Sequence, residues 1–478
     1  MEPATHQRPT IDLGHVLDHG PFSLRQKQIV ALAAVSVIFD GLGSQLIGFA
    51  IPRMATEWRM PLGAFAAPVS AGLFGMSFGS AWAGMLADRI GRRWTVIGNV
   101  LLFGLATCLI SLANSPSAVG WFRFFAGFGI GGALPVSTTL VAEFTPSRIR
   151  PLAVTCTIVC VPLGGMFAGV FAACILPNYG WRTLFFVGGA IPLILCLLLI
   201  LALPESPRFL VRRPERWGEL SALLKKIQSP DAPGSQFCDR TESHVHGRFF
   251  DLFGGNYLRD SVALWCAFLL CLFTVYTTFN WLPSLLVSSG LKPPNASLAL
   301  TVYNAGGVLG AVLCARAISR FGSRWPLITC CAAAAIAALF VSQLRLNQTF
   351  LLLSGIAAHG LFVNAVQSTM FALCAHVYPT PIRARGAASA VAFGRLGQFS
   401  RAPPEPSCFP SELCLLHHAR YGDASGARRS RIGSAAYHGL TIAQPTTFAM
   451  IGSGRPGRWF AHRLTRSNLA ILIRPAYL

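Results

Sequence analysis

Gly84-Met-Leu-Ala-Asp88-Arg89-Ile-Gly91-Arg92-Arg93 is a tight basic turn set between two strongly apolar runs of helix length. A turn this short holds no domain, so it joins two antiparallel membrane spans. A weaker echo lies 231 residues later, at Ala315-Arg-Ala-Ile-Ser319-Arg320-Phe-Gly322-Ser-Arg324. A second pair recurs at almost the same offset, Thr145-Pro146-Ser-Arg-Ile-Arg150 against Tyr378-Pro379-Thr-Pro-Ile-Arg383. Two matches in one register imply a chain of two related halves, an organisation found in secondary transporters.

Composition places those halves in a bilayer. Of 478 residues 53% are hydrophobic and 12% charged, with mean hydropathy +0.53, where soluble domains carry about 25% charged residues. The net charge of +21 does not indicate nucleic acid, because the arginines cluster in short loops between apolar runs, as cytoplasmic loops of membrane proteins do. The first 27 residues are polar and of mixed charge, and no cleavable signal peptide is expected. Most of the fourteen cysteines stand singly in apolar runs and no C-x-x-C occurs, so no metal, redox group or other cofactor is expected. No nucleophile–base pair points to an enzyme.

Hydropathy predicts spans near 28–52, 64–86, 94–114, 118–142, 152–175, 182–203, 260–286, 297–318, 326–344 and 349–377, each near or above the ~20 residues that cross a bilayer. The basic turns at 87–93, 146–150, 320–324 and 383–385 fall on one side, cytoplasmic if the N-terminus is cytoplasmic. The expected organisation is an N-terminal cytoplasmic segment (1–27), a six-helix bundle (28–203), a solvated cytoplasmic central loop (204–259) and an incomplete second bundle (260–398). Residues 399–478 contain ten Arg, four His and no Lys, with no run resembling a span. That composition matches a GC-rich gene read out of frame, so a frameshift near codon 398 and a disordered tail are expected.

Four groups of residues stand out. Asp40 is a lone carboxylate deep in the first span, where a charge costs about 2.5–3.5 kcal/mol. It reads as a proton carrier facing a cavity, or as a cap or ion-pair partner of a helix broken at Gly41 and Gly43. The turn residues Gly84, Asp88, Arg89, Gly91, Arg92 and Arg93, with Arg123 and Glu143 bracketing the fourth span, read as a latch on one state of a rocking protein. In that latch the acid pairs with arginines and with a helix N-terminus; the alternative is topological charge alone. Arg395, and also Arg383, suit a substrate carboxylate because guanidinium binds it bidentately. Tyr276, Asn280 and Trp281, with Pro283, could line a site that stacks an aromatic ring, or Trp281 could anchor the end of its span at the interface. His359 is either a proton relay or a hydrogen-bonded core histidine. Gly127-Phe-Gly129-Ile-Gly131-Gly132 fits the dinucleotide fingerprint, but it lies inside a span, where such glycines serve close helix packing.

The turn at 84–93 resembles the signature loop of the major facilitator superfamily. Residues about 30–398 resemble, more narrowly, its aromatic acid:proton symporters, through Asp40-Gly41, Arg123-x-x-x-Gly127-x-Gly129-x-Gly131-Gly132, Glu143-Phe-Thr-Pro146 and Pro204-Glu205-Ser206-Pro207-Arg208. Asn280-Trp281-Leu282-Pro283, Tyr378-Pro379-Thr380-x-x-Arg383 and Gly394-Arg395-x-Gly397 extend the likeness. The resemblance implies an all-α polytopic protein of two six-helix bundles, here with ten complete spans and a partial eleventh. It implies import of an aromatic carboxylic acid with protons across the bacterial inner membrane, by a chain expected to be a monomer. The alternatives are another organic ion or a sugar acid as substrate, or a frameshifted product without transport activity. The chain departs from the family in having Gly43 where a second acid usually stands, Ser319 where the second turn often has an acid, and no twelfth span.

Overall fold

The computed structural model describes residues 10–227, 236–238, 258–322, 324–344, 346–377, 386 and 389–395. Among them nine helices are long and apolar enough to cross a membrane. A short strand, β1 (Thr10–Asp12), leads into α1 (Leu13–His19), where the Asp12 carboxylate caps the first turn by accepting from Gly14 N–H at 3.1 Å. The first span, α2 (Leu24–Trp58), starts at a capping box in which Ser23 and Gln26 satisfy each other's backbone N–H groups. It continues through Gly41 and Gly43, so the reading of a broken helix at Asp40 is corrected: the backbone there is α-helical.

The first half continues with α3 (Ala66–Ile90), α4 (Arg92–Ile110) and α5 (Pro116–Phe144), the last capped by Ser115 with Pro116 at its first position. The 53-residue α6 (Arg150–Ala202) bends back at Gly180, whose φ of 77° and ψ of 179° are non-helical, and so supplies two spans. Glycines at 127 and 131 let α5 lie directly on α3, because a Cβ there would sit 2.0 Å from the carbonyl oxygens of Gly72 and Met76. The packing reading of this glycine run therefore holds.

The stretch after α6 corrects the expectation of a solvated linker, at least to residue 227. Here α7 (Pro207–Val211) and α8 (Trp217–Lys226) bury Leu210, Leu220, Leu223 and Leu224. Strand β2 (Gln236–Cys238) then pairs in parallel with β1, Ile11 opposite Phe237. Residues 228–235 and 239–257 lie outside the described residues.

The second half comprises α9 (Leu258–Ser288), α10 (Pro293–Phe321), α11 (Arg324–Gln343) and α12 (Thr349–Val377). A helical stretch at 389–395 follows. The repeat seen in sequence is a backbone repeat as well: Gly91 between α3 and α4 has φ 107°, and Gly322 after α10 has φ 73°. Expectations for residues 396–478, including the lost eleventh and twelfth spans and the frameshift, fall outside the described residues. Leu197, Leu201, Leu309 and Phe350 are exposed apolar side chains, as suits helices solvated by lipid.

The halves meet at the end opposite the basic turns. A Cβ on Gly48 of α2 would lie 2.5 Å from the Phe279 carbonyl of α9. One position-turn earlier, Gln45 and Asn304 of α10 exchange amide hydrogen bonds of 3.2 and 2.8 Å, both side chains fully buried. Gly165 of α6 makes the room, since a Cβ there would meet Gln45 Nε2 at 2.0 Å.

Candidate functional site

Asp40 sits on the buried face of α2 at 5% exposure, and its Oδ1 has no hydrogen-bond partner. Among the described residues it makes no ion pair within 4 Å. A buried polar atom left without a partner costs about 1–3 kcal/mol. The Arg395 guanidinium, from the other half, exerts a coulombic pull on the Asp40 carboxyl, and both charges are felt at the Tyr276 hydroxyl. Arg395 is itself buried and donates from Nη1 to the Met76 carbonyl of α3 at 2.9 Å. Three of the residues singled out in sequence, an acid, a cation and a phenol, thus lie within electrostatic reach of one another.

Asn280 lies one turn beyond Tyr276 on α9 and donates to the Tyr276 carbonyl at 2.8 Å. Its Oδ1 and the Oγ of Ser284, one further turn along, are buried without a hydrogen-bond partner. Trp281 is 7% exposed and packs in the core. The interfacial-anchor reading is corrected here, because Pro283 sits inside α9, which runs on to Ser288. Tyr276 and Phe279 meet edge to face at 6.0 Å, and Phe279 meets Tyr303 likewise at 6.0 Å. Tyr276 is thus the first ring of a chain of aromatic contacts that runs through Phe279 to Tyr303. Chemically, these residues offer a carboxyl that can take or release a proton, a guanidinium that can hold a carboxylate, and rings that can contact an aromatic ligand.

The basic turn forms a second, separate site. Arg92 pairs with Asp88 at 3.1 Å and with Glu143 at 3.4 Å, and donates from Nη1 to the Ala87 carbonyl at 3.1 Å. Glu143 also accepts a short hydrogen bond from the Ser206 hydroxyl. The helix N-terminus is taken by a residue that the sequence reading did not assign to the site. Glu205 Oε1 accepts from the backbone N–H groups of Arg92, Arg93 and Ser206 at 2.8, 3.1 and 2.9 Å. Asp88 was expected in that place; it is mostly solvent-exposed and pairs with Arg92 across the turn between α3 and α4. The signal for Glu205 was present in Pro204-Glu205-Ser206-Pro207, an acid just before a helix-capping serine. No local rule connects that acid to a turn over a hundred residues earlier.

Gly91 is packed so closely that a Cβ would fall 2.1 Å from Glu205 Oε2. Gly84, by contrast, has nothing within 4 Å of a Cβ. Arg93 donates to the Ile200 carbonyl at 2.6 Å, and the Arg89 carbonyl accepts from Arg213, whose guanidinium stacks on Phe209 at 4.5 Å. The loop after α6 thus clasps the turn.

Arg123 does not join this cluster, which corrects its grouping with the latch. It lies some twenty residues before Glu143 on α5, about 30 Å along the axis. There it is fully buried and donates to the carbonyls of Gly43 and Ser44 on α2 at 3.2 and 3.3 Å. Gly72 leaves the space for its guanidinium. Arg383 lies outside the described residues. His359 places Nδ1 3.1 Å from the Ala334 carbonyl and its ring 6.0 Å from Tyr303, which fits the core-histidine reading. A largely apolar groove of 750 Å³ between α9, α11 and α12 includes His359, but neither Asp40 nor Arg395 lines it.

The family model of the Major Facilitator Superfamily matches residues 33–400. The chain is 34% identical over 401 residues to the 4-hydroxybenzoate transporter PcaK of Acinetobacter baylyi, covering 82% of this chain and 86% of that protein. It is 31% identical over 388 residues to a gallate transporter of Pseudomonas putida, covering 81% and 86%. Among solved structures, the partially occluded, inward-open xylose transporter XylE of E. coli superposes with a TM-score of 0.62 at 17% identity, over 79% of this chain and 90% of that one. That likeness concerns the fold.

Proposed function

The chain belongs to the major facilitator superfamily, and on that premise we propose that it is a symporter that carries an aromatic carboxylic acid with protons across the bacterial inner membrane. The names of the 4-hydroxybenzoate and gallate transporters support the substrate class. The observation that carries the reading is the burial of Asp40 from one half and Arg395 from the other within electrostatic reach of each other, on apolar helices where a charge is costly.

Coupling follows from charge. While Asp40 is ionised, it competes with the substrate for the field of Arg395. A proton on Asp40 removes that competitor, so Arg395 binds the carboxylate only when the acid is neutral. The proton and the anion therefore occupy the site together. Tyr276 and Phe279 contact the ring, and Asn280 offers its free carbonyl to a ring substituent. The loaded site lets the halves rock, and the cluster of Asp88, Arg92, Glu143 and Glu205 holds one of the two states. The basic turns, which share one side, support a cytoplasmic N-terminus, and one chain suffices for the site.

The test is uptake of labelled 4-hydroxybenzoate into proteoliposomes with an imposed pH gradient. Accumulation that collapses with the gradient and is inhibited by benzoate, but not by an aliphatic dicarboxylate, is the expected result. Accumulation indifferent to the gradient refutes coupling, and inhibition by the aliphatic acid refutes the substrate class.

A further inference from the structure

The central group leaves one cation of the first span unused. A cavity of 310 Å³ lies between the halves at the end away from the basic turns, with Phe49, Pro52 and Arg53 of α2, Leu176 of α6, Val287 of α9 and Ser297 of α10 in its walls. Thirteen residues of helix separate Arg53 from Asp40, about 20 Å along the axis, so this space is distinct from the central site. Arg53 is the one charged residue that lines it.

The acid best placed to neutralise Arg53 is occupied elsewhere. Glu57, one turn along α2, accepts from Trp181 Nε1 at 2.5 Å and pairs with Arg182. Among the described residues Arg53 itself has no hydrogen bond or ion pair. The remaining wall is mostly apolar, including Pro177, Pro283 and Pro293. Its volume is at the low end of small-molecule sites, which run about 300–1,000 Å³, and suits one aromatic ring. A compact apolar cavity with a single unneutralised guanidinium at its edge has the chemistry to hold a small aromatic anion.

We propose that this cavity is an outer capture site for the aromatic carboxylate, with the carboxylate on Arg53 and the ring against Phe49 and the prolines. The inference rests on the transport reading above and adds a second binding position to it. Its walls come from α2 and α6 of one half and α9 and α10 of the other, so the rocking that opens this end dismantles the pocket. The anion is then released at the mouth of the path to Arg395. Occupancy is highest while this end is closed, and the site concentrates substrate for the next opening.

Equilibrium binding of labelled 4-hydroxybenzoate to the full chain in lipid nanodiscs, with empty nanodiscs as the blank, tests the site. The wild type should bind two equivalents, Arg395→Ala one, Arg53→Gln one, and the double variant none. Arg53→Gln should weaken the outer equivalent about tenfold or more while leaving binding of the neutral 4-hydroxybenzamide unchanged, and Arg53→Lys should retain part of it. A single equivalent in the wild type that Arg53→Gln leaves intact overturns the outer site and spares the transport reading. Loss of both equivalents in Arg53→Gln overturns it as well, by making the residue structural. Failure of the wild type to bind any aromatic acid overturns the transport reading and the outer site together.

Discussion

Glu205 Oε1 accepts the backbone N–H of Arg92 at 2.8 Å and so occupies the N-terminus of α4, a helix with no side-chain cap of its own. The first four N–H groups of a helix have no intrahelical partners and carry the positive end of its dipole. A buried carboxylate there is held by three backbone donors at once. Glu205→Ala should lower stability by roughly 1.5–3 kcal/mol, the scale of charge-assisted hydrogen bonds, and Glu205→Gln by less, because it keeps an acceptor. Thermal unfolding of the detergent-solubilised protein measures both. Equal melting temperatures for wild type and Glu205→Ala would remove the anchor role.

Gly91 and Gly84 separate two meanings of glycine in one turn. At Gly91 the backbone is left-handed and a Cβ would collide with Glu205, whereas at Gly84 the space is open. Gly91→Ala should strongly reduce the yield of folded protein. Gly84→Ala should leave yield and melting temperature unchanged, so any effect it has on uptake arises in another conformation. The yields after size-exclusion chromatography decide it.

Asp40→Asn keeps the shape of the side chain and removes its proton chemistry. Uphill accumulation driven by a pH gradient should be lost, while exchange of internal for external substrate continues. Vesicle uptake that still follows the gradient in full would assign coupling to another group.

Arg395→Ala should weaken binding of 4-hydroxybenzoate far more than that of 4-hydroxybenzamide, and Arg395→Lys should recover only part, since it loses the bidentate fork. Some effect on both ligands is expected because the side chain also holds the Met76 carbonyl. Equal losses for acid and amide would make the residue purely structural.

Gln45→Leu leaves the Asn304 amide without its reciprocal partner at a closed contact between the halves. A cost of about 1–3 kcal/mol falls on this state alone, so the population should shift toward opening at that end by roughly ten- to a hundredfold. Labelling of Thr301→Cys by a membrane-impermeant reagent, in a background freed of native cysteines, should speed up accordingly. An unchanged labelling rate would show that the pair does not hold the end shut.

What the sequence determined is everything that short-range physics governs. Apolar runs long enough for a bilayer predicted the ten segments that the structure forms as spans. The turn at 84–93 and its echo placed Gly91 and Gly322, where the backbone takes positive φ, and the glycines at 127 and 131 announced a close helix contact. Each rests on length, helical periodicity or the missing Cβ, which neighbours in the chain suffice to express. The candidate charges were legible too, because a charge in an apolar run is costly wherever it finally points.

Their partners were not legible. Glu205 meets a helix end 113 residues away, Gln45 meets Asn304 across 259, and Arg395 reaches Met76 across 319. Arg123 left its expected cluster for two carbonyls of α2, and Glu205 displaced Asp88 at the head of α4. A sequence states that a buried charge or amide must be satisfied; which group satisfies it depends on how helices from distant parts of the chain pack. That packing is set by shape and depth across the whole membrane domain, and only the tertiary structure resolves it.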